Sequence, residues 1–355
     1  MRRIDRYWKR CGACLLAAVT LMLGQGGMQS YAMNAQVINS PDRIVVQDEN
    51  KNTGNQNNTN TQTVTTKAEV AGFGEVSTPV TDSSSYFGKG RLTLLANHDT
   101  AAQQLAAIIE TGEGGLIVGG WTDNTDYVLN QIKAKGGHVQ AWLITHPDSD
   151  HVGALADILY KHAGEITIDG IYYSFLEDSW YAEKDANVAS MVAYVKGAFA
   201  KISPSVLHGD IVAGQVINAG PAKIQVLNQA YKENNDFVNN SSVAYMVSLN
   251  GTNVVFLGDL GRTGGEHLMQ DINLGALKCK MVQMSHHGQN GVDYEVYKAL
   301  RPSVCLWPTP QWLWDNDNGG GAGSGSWKTQ ETRNWMTRLG VKEYYVTKDG
   351  DQVIE

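Results

Sequence analysis

The run His146-Pro147-Asp148-Ser149-Asp150-His151 places four metal-ligand side chains, two imidazoles and two carboxylates, within six residues. Nitrogen and carboxylate donors in equal number suit zinc, manganese or iron, and the chemistry that such a set performs is metal-assisted hydrolysis. Two more ligand-type positions follow. Asp259 comes after the apolar run NVVFL and one glycine, and His286-His287 follows KMVQMS and precedes Gly288. Taken singly, each has a plainer reading as a turn or helix-capping position. In this order, each behind an apolar run, they read as one site. Strand side chains alternate between faces, so ligands this dense belong to a loop at a strand's carboxyl end. VQAWLIT supplies that strand, and VGALADILYKHA reads as the helix that pins His151 at its start.

The remaining elements alternate in kind. RLTLLA, LAAIIETG and GLIVGG read as opening strands, and TDYVLNQIKAKGG as a helix stopped by glycine. ANVASMVAYVKGAFAKI has helical spacing. VINA, KIQVLN, SVAYMVSLNG and NVVFLGD are strands, the last two joined by the hairpin pair Asn250-Gly251. EVYKAL and TQETRNWMTRLG are helices before a final strand near VKEYYVTKDGDQVIE.

The succession THPDSDHVGAL, NNSSVAYMV, VVFLGDLG, LKCKMVQMSHHGQNG and that final strand resembles the metallo-β-lactamase superfamily. It is most similar to the C-terminal hydrolase domain of ComEC-type DNA-uptake proteins and their free-standing secreted relatives, over roughly residues 90 to 355. The resemblance implies an α/β fold, a four-layer αββα sandwich. It implies two divalent metal ions, zinc or manganese, held by His146, Asp148, Asp150, His151, Asp259 and one of His286 and His287. Asp259 would bridge the ions. Asp150 would be both ligand and proton acceptor for a metal-bound water that loses its proton near neutral pH. Strand-end parity favours His286 over His287 weakly, and both are kept. The chain also departs from the pattern. Asp148 stands where the commonest motif has histidine, a harder donor that leans toward manganese. Val118-Gly119-Gly120 lacks an expected acid, Asn228 replaces a frequent histidine, and His208 reads as structural.

The branch implies an exported phosphodiesterase acting on nucleic acid, a nucleotide or a phosphocholine ester. The alternatives are a noncatalytic surface-binding module on the same fold, or an acyl hydrolase for lactams or thioesters. Trp312, Trp314 and Trp327 flank a glycine-rich stretch. They either stack on substrate or cover the core, and the glycines suit a lid.

MRRIDRYWKR, CLLAAVTLMLG and Ser30-Tyr31-Ala32 form the basic, apolar and small-residue parts of a signal peptide over residues 1–32. Its apolar stretch is short for a membrane span, so a mature chain without a transmembrane segment, secreted or at the cell surface, is expected. Residues 33–86, with DENKNTGNQNNTNTQTVTT at their centre, read as a disordered linker before a hydrolase domain at 87–355. The net charge is −8, and removing five basic residues and one acid with the leader leaves about −12. Stable duplex nucleic-acid binding is not expected at that charge. Arg262, Lys278 and Lys280 read first as solvated surface charge. Cys279 and Cys305, each in an apolar run, are either buried free thiols or a disulfide.

Overall fold

The computed structural model describes residues 85–98 and 102–355. The expected signal peptide and nearly all of the expected linker lie outside the described residues. Tyr86, the linker's last position, is tied down: its N–H donates to the Glu355 carbonyl at 2.7 Å and its hydroxyl to Glu343 at 2.7 Å.

Apolar runs, most of them buried on both faces, build two sheets. The first runs β15 (Gln352–Ile354), β1 (Arg91–Leu94), β2 (Ala106–Glu110), β3 (Gly115–Gly119), β4 (His138–Leu143), β6 (Ile171–Tyr172) and β7 (Leu207–His208), with β5 (Thr167–Ile168) also paired to β4. The second runs β14 (Glu343–Val346), β13 (Val304–Trp307), β12 (Met281–Gln283), β11 (Thr252–Phe256), β10 (Tyr245–Leu249), β9 (Ala222–Val226) and β8 (Val216–Ala219). Each sheet joins an antiparallel part to a parallel part, the change falling at β3 in the first and at β11 in the second.

Strand parity sorts the core into three layers. Leu92, Ile109, Val118 and Leu143 of the first sheet face Val226, Tyr245, Val247 and Phe256 of the second. Their alternates Ile108, Ile117 and Trp142 pack on the helices α1 (Thr125–Ala134), α2 (Ser149–Lys161) and α4 (Ala186–Phe199). The short α3 (Asp178–Lys184) precedes α4. On the far side, Met246, Val255 and Val282 pack on α5 (Arg262–Asp271), α6 (Tyr294–Leu300) and α8 (Thr329–Arg338), and α7 (Gln311–Trp314) follows β13. The result is a four-layer αββα sandwich. Trp142 and Trp307 are fully buried, and truncating either to alanine should cost about 3–5 kcal/mol.

One local expectation needs correction. VKEYYVTKDGDQVIE is two strands: β14 joins the second sheet, a turn at Thr347–Asp349 ends at Gly350 with φ 97°, and β15 crosses to pair with β1. RTGGEHLMQD forms α5 despite two glycines, because a Cβ on Gly265 would lie 2.9 Å from Val292 of the neighbouring segment. Asn250 and Gly251 both take positive φ, 49° and 78°, as the tight hairpin requires. Cys279 and Cys305 are free and buried. Among the described residues no helix is long and apolar enough to cross a membrane.

Candidate metal centre

Every expected ligand sits past the carboxyl end of a parallel strand, the edge at which α/β sheets place their ligand crevices. β4 leads into Thr145–His151, β11 into Asp259, and β12 into His286 and His287. The two sheets meet at this edge. Val243 N–H donates to the Thr145 carbonyl at 2.7 Å, and the buried Tyr245 hydroxyl donates to the Ile144 carbonyl at 2.9 Å. Asp148 occupies the N-cap of α2 with extended backbone, so Asp150 and His151 fall in its first turn. There the positive end of the helix favours the Asp150 carboxylate.

Asp150, His151, Asp259 and His287 are all buried, with one ligand atom from each lying within 4.8 Å of the others. His287 Nε2 lies 3.1 Å from Asp150 Oδ2 and 3.3 Å from Asp259 Oδ2. His151 Nε2 lies 3.2 Å from Asp259 Oδ1 and 3.3 Å from His287 Nε2. His146 flanks this group, its ring 4.2 Å from that of His151 and its Nε2 3.5 Å from Asp148 Oδ2. Asp148 is the more open member, with its side chain 32% exposed. His286 Nε2 stands further off, 3.9 Å from Asp259 Oδ2.

The weak parity preference for His286 is therefore corrected: His287 is the member of the pair inside the tight cluster. The reason is backbone geometry. His286 and His287 both take left-handed φ, 51° and 54°, which breaks the alternation inherited from β12. The turn is held by His286 N–H donating to Gly258 O at 3.1 Å and by the Thr309 hydroxyl donating to His287 O at 2.6 Å. Gly288 is required next, since a Cβ there would lie 2.4 Å from the Trp307 ring.

Neighbouring groups orient the imidazoles. His287 Nδ1 donates to the Pro308 carbonyl at 3.0 Å, leaving Nε2 turned into the cluster. Thr145 Oγ1 lies 3.1 Å from His146 Nδ1 and 2.9 Å from His151 Nδ1, and Ser242 Oγ lies 3.1 Å from His146 Nδ1. When these hydroxyl oxygens accept from Nδ1–H, both Nε2 lone pairs are left for a ligand. Ser242 Oγ also accepts Asp259 N–H at 3.0 Å. Gln283, fully buried on β12, clamps the loop carrying Asp259. Its Oε1 accepts Leu257 and Gly258 N–H, each at 2.9 Å, and its Nε2 donates to Gly258 O at 3.0 Å and Met284 O at 2.8 Å. Asn240 Oδ1 accepts Gly261 N–H at 3.0 Å and Gly264 N–H at 2.9 Å, fixing the far end of that loop.

The charge balance of the cluster fits a cation. Burial pushes the Asp259 and Asp150 carboxyls up, but His151 and His287 outweigh it and hold both below their ordinary value. Burial likewise pushes His287 down, yet Asp259 and Asp150 raise it to about 10. Burial lowers His151. His146 rises because Asp148 outweighs its burial. Two ionised carboxylates in a water-poor space need positive charge nearby, which a protonated His287 supplies in part and a cation bound in place of that proton supplies in full. The buried atoms His146 Nε2 and Asp259 Oδ1 also lack any hydrogen-bond partner. A divalent ion satisfies both demands, so the residues present fit a metal.

The other singled-out residues lie apart. Trp312 and Trp327 pair edge to face with centroids 5.0 Å apart, and Trp312 Nε1 donates to the Ala102 carbonyl at 3.3 Å. Ala102 starts the stretch in which Gln103 accepts from Gln289 at 3.1 Å and Leu105 N–H donates to Asp150 O at 3.3 Å. Of the two readings open for the tryptophans, Trp314 falls on the core-covering side. It packs into the helix-side core, edge-on to Trp307 at 5.3 Å with Arg333 4.1 Å from its ring. His208 stacks on Tyr172 at 4.6 Å, outside the cluster. Asn228 bonds backbone, accepting Ala244 N–H at 2.7 Å. Gly119 stands where a Cβ would meet Leu105 O at 2.0 Å, so the turn without an acid is a packing device. Thr145, Ser242, Gln283 and Pro308 received no role from the sequence alone, although the first three lie inside the quoted motifs. Thr145 and Ser242 carried a signal, adjacency to His146 and a place inside NNSSVAYMV.

Two sheets between helix layers, with this loop cluster at one edge, make a metallo-β-lactamase sandwich. The model of the metallo-β-lactamase superfamily matches residues 99–212, a stretch containing the first motif. Among solved structures, the metallo-β-lactamase fold protein YhfI from Bacillus subtilis aligns at 12% identity and TM-score 0.48, over 75% of this chain and 99% of that one. A diphosphatase of the PhnP family aligns at 11% identity and TM-score 0.37, over 61% and 85%. CmlA, a diiron β-hydroxylase from Streptomyces venezuelae, aligns at 11% identity and TM-score 0.43, over 77% of this chain and 55% of that one. These likenesses concern the fold. A comparison with curated protein sequences finds no match.

Proposed function

We propose that the chain is an exported metal-dependent phosphodiesterase, its first ion held by Asp150, His151, Asp259 and His287 and a second by His146, Asp148 and the shared Asp259. The observation that carries this reading is the buried cluster of two ionised carboxylates and two imidazoles beside the orphaned His146 Nε2. When bound, divalent ions supply Lewis-acid stabilisation of a phosphoryl group and a water acidic enough to react at neutral pH. The chain's own residues do the rest. Thr145 Oγ1, Ser242 Oγ and Pro308 O fix the three imidazoles with Nε2 inward. Gln283 holds the Asp259 loop rigid. Asp150, with its side chain 11% exposed, accepts the nucleophile's proton at a carboxylate oxygen. The resemblance of the motifs to the ComEC-type branch supports phosphoryl over acyl chemistry, and the leader-like residues 1–32 support export.

The test is turnover of bis(p-nitrophenyl) phosphate by the zinc-loaded and manganese-loaded protein against Asp259→Ala. Turnover by the wild type and loss in the variant are expected. Metal binding without phosphodiester turnover would move the reading to acyl hydrolysis, and absence of metal would leave a binding module.

A further inference from the structure

A small depression of about 150 Å³ is walled by continuations of the metal-bearing loops. Arg262 comes three residues after Asp259, so the two Cα atoms lie at most about 11 Å apart. Gln289, Asn290 and Gly291 follow His287 after one glycine, and Gly291 packs so closely on Ser285 that a Cβ would lie 2.6 Å from its carbonyl oxygen. Lys328 and Trp335 close the remaining side from the start and body of α8. The volume is half the lower end of the roughly 300–1,000 Å³ of pockets that take a whole small-molecule ligand. It accommodates one group of a ligand whose remainder lies elsewhere.

Its lining carries two cations, Arg262 and Lys328, and one carboxylate, Asp293. Arg262 spends its Nε on Asp293, which fixes the guanidinium plane and leaves the Nη donors. Lys328 Nζ forms a long ion pair with Glu331 at 3.9 Å, and its side chain is 55% exposed, so its donors stay open to a ligand. The two cations line one depression in a chain of net charge −8, where long-range attraction of an anionic substrate is weak. By contrast, the depression of about 260 Å³ around Leu159, Ile166 and Ile202, with His162 and Lys201 at its edge, lies at the opposite end of α2 from the motif.

We infer that the depression between Arg262 and Lys328 is a subsite for a second anionic group of the substrate, a phosphate next to the scissile diester. The inference rests on the phosphodiesterase reading and narrows it. The preferred substrate is of nucleotide or oligonucleotide type, with two phosphates, and not a diester whose second end is a quaternary ammonium. A guanidinium and an ammonium on one phosphate form charge-assisted hydrogen bonds, which are the strong ones and are weakened by salt.

The test uses the metal-loaded full chain and two chromogenic esters, thymidine 5′-(p-nitrophenyl phosphate) and the same compound phosphorylated at its 3′-hydroxyl. The wild type should favour the 3′-phosphorylated ester by about tenfold or more in kcat/KM, the range of a hydrogen bond to a charged group. In Arg262→Ala/Lys328→Ala this ratio should fall to about one, and in the wild type it should shrink as sodium chloride rises. General damage to the fold lowers both rates and leaves the ratio, so the ratio isolates the subsite. Turnover of both esters without preference by the wild type, or a preference unchanged in the double variant, overturns the subsite alone. Turnover of neither ester overturns the phosphodiesterase reading and the subsite with it.

Discussion

Replacing Gln283 with methionine tests whether the Asp259 loop is positioned from β12. Methionine keeps the length and volume of the side chain, so little cavity forms. What disappears is a set of four hydrogen bonds to the backbone at Leu257, Gly258 and Met284, all buried. Gly258 O keeps a donor in His286 N–H, whereas the Leu257 and Gly258 N–H groups lose this acceptor. At about 1–3 kcal/mol for each stranded donor, the cost is about 2–6 kcal/mol. A central loss of about 4 kcal/mol lowers Tm by about 8–16 °C in a domain of this size. The variant that remains folded should also bind metal about 10–100-fold more weakly, because the supports of a ligand tune affinity nearly as much as the ligands. Differential scanning calorimetry and competition against a chromophoric chelator measure the two effects. His208→Ala, outside the cluster, serves as the control and should bind metal like the wild type. A folded Gln283→Met with wild-type metal affinity would refute the argument that β12 aims Asp259.

Three further outcomes follow from the same geometry. Thr145→Val removes the oxygen facing both His146 Nδ1 and His151 Nδ1, so metal affinity should fall about 10–100-fold with a smaller change in Tm, read by the same chelator competition. Burial pushes the Cys279 thiol up to about 12 and Cys305 higher still. A raised pKa keeps the unreactive thiol form at pH 8, so iodoacetamide should label neither residue until denaturant is added, as followed by peptide mass mapping. Stripping metal from protein held at 100 times its Kd should remove about 2.7 kcal/mol of stability, visible as a fall in Tm of about 5–11 °C that readded zinc or manganese reverses.

Much of this site is legible in the sequence because its side chains come from three short loops, each directly behind an apolar strand. HPDSDH, GD and HHG are local patterns, and the sandwich brings the ends of β4, β11 and β12 to one edge. What the sequence hides is non-local or conformational. Parity misleads at His286 and His287 because two consecutive left-handed residues reverse the alternation. Gln283 reads as one polar residue in a buried strand, and its purpose emerges only from backbone groups more than twenty residues away in sequence. Helix α5 is obscured by Gly264 and Gly265, poor helix formers that tight packing against Asn240 and Val292 demands. The last strand divides because Gly350 permits a turn that hands the chain from one sheet to the other. Trp314 looks like its neighbours in sequence, yet the four-residue α7 lays it against the core while the Trp312 indole N–H reaches the loop at Ala102.

The central claim is that Asp150, His151, Asp259 and His287 hold a metal. It is tested most directly by crystals grown with zinc or manganese and diffraction data collected at that metal's absorption edge. The account expects an anomalous peak about 2.0–2.2 Å from His151 Nε2, His287 Nε2 and the two carboxylates, with a second beside His146 and Asp148. A metal-saturated crystal whose peaks all lie elsewhere would contradict it.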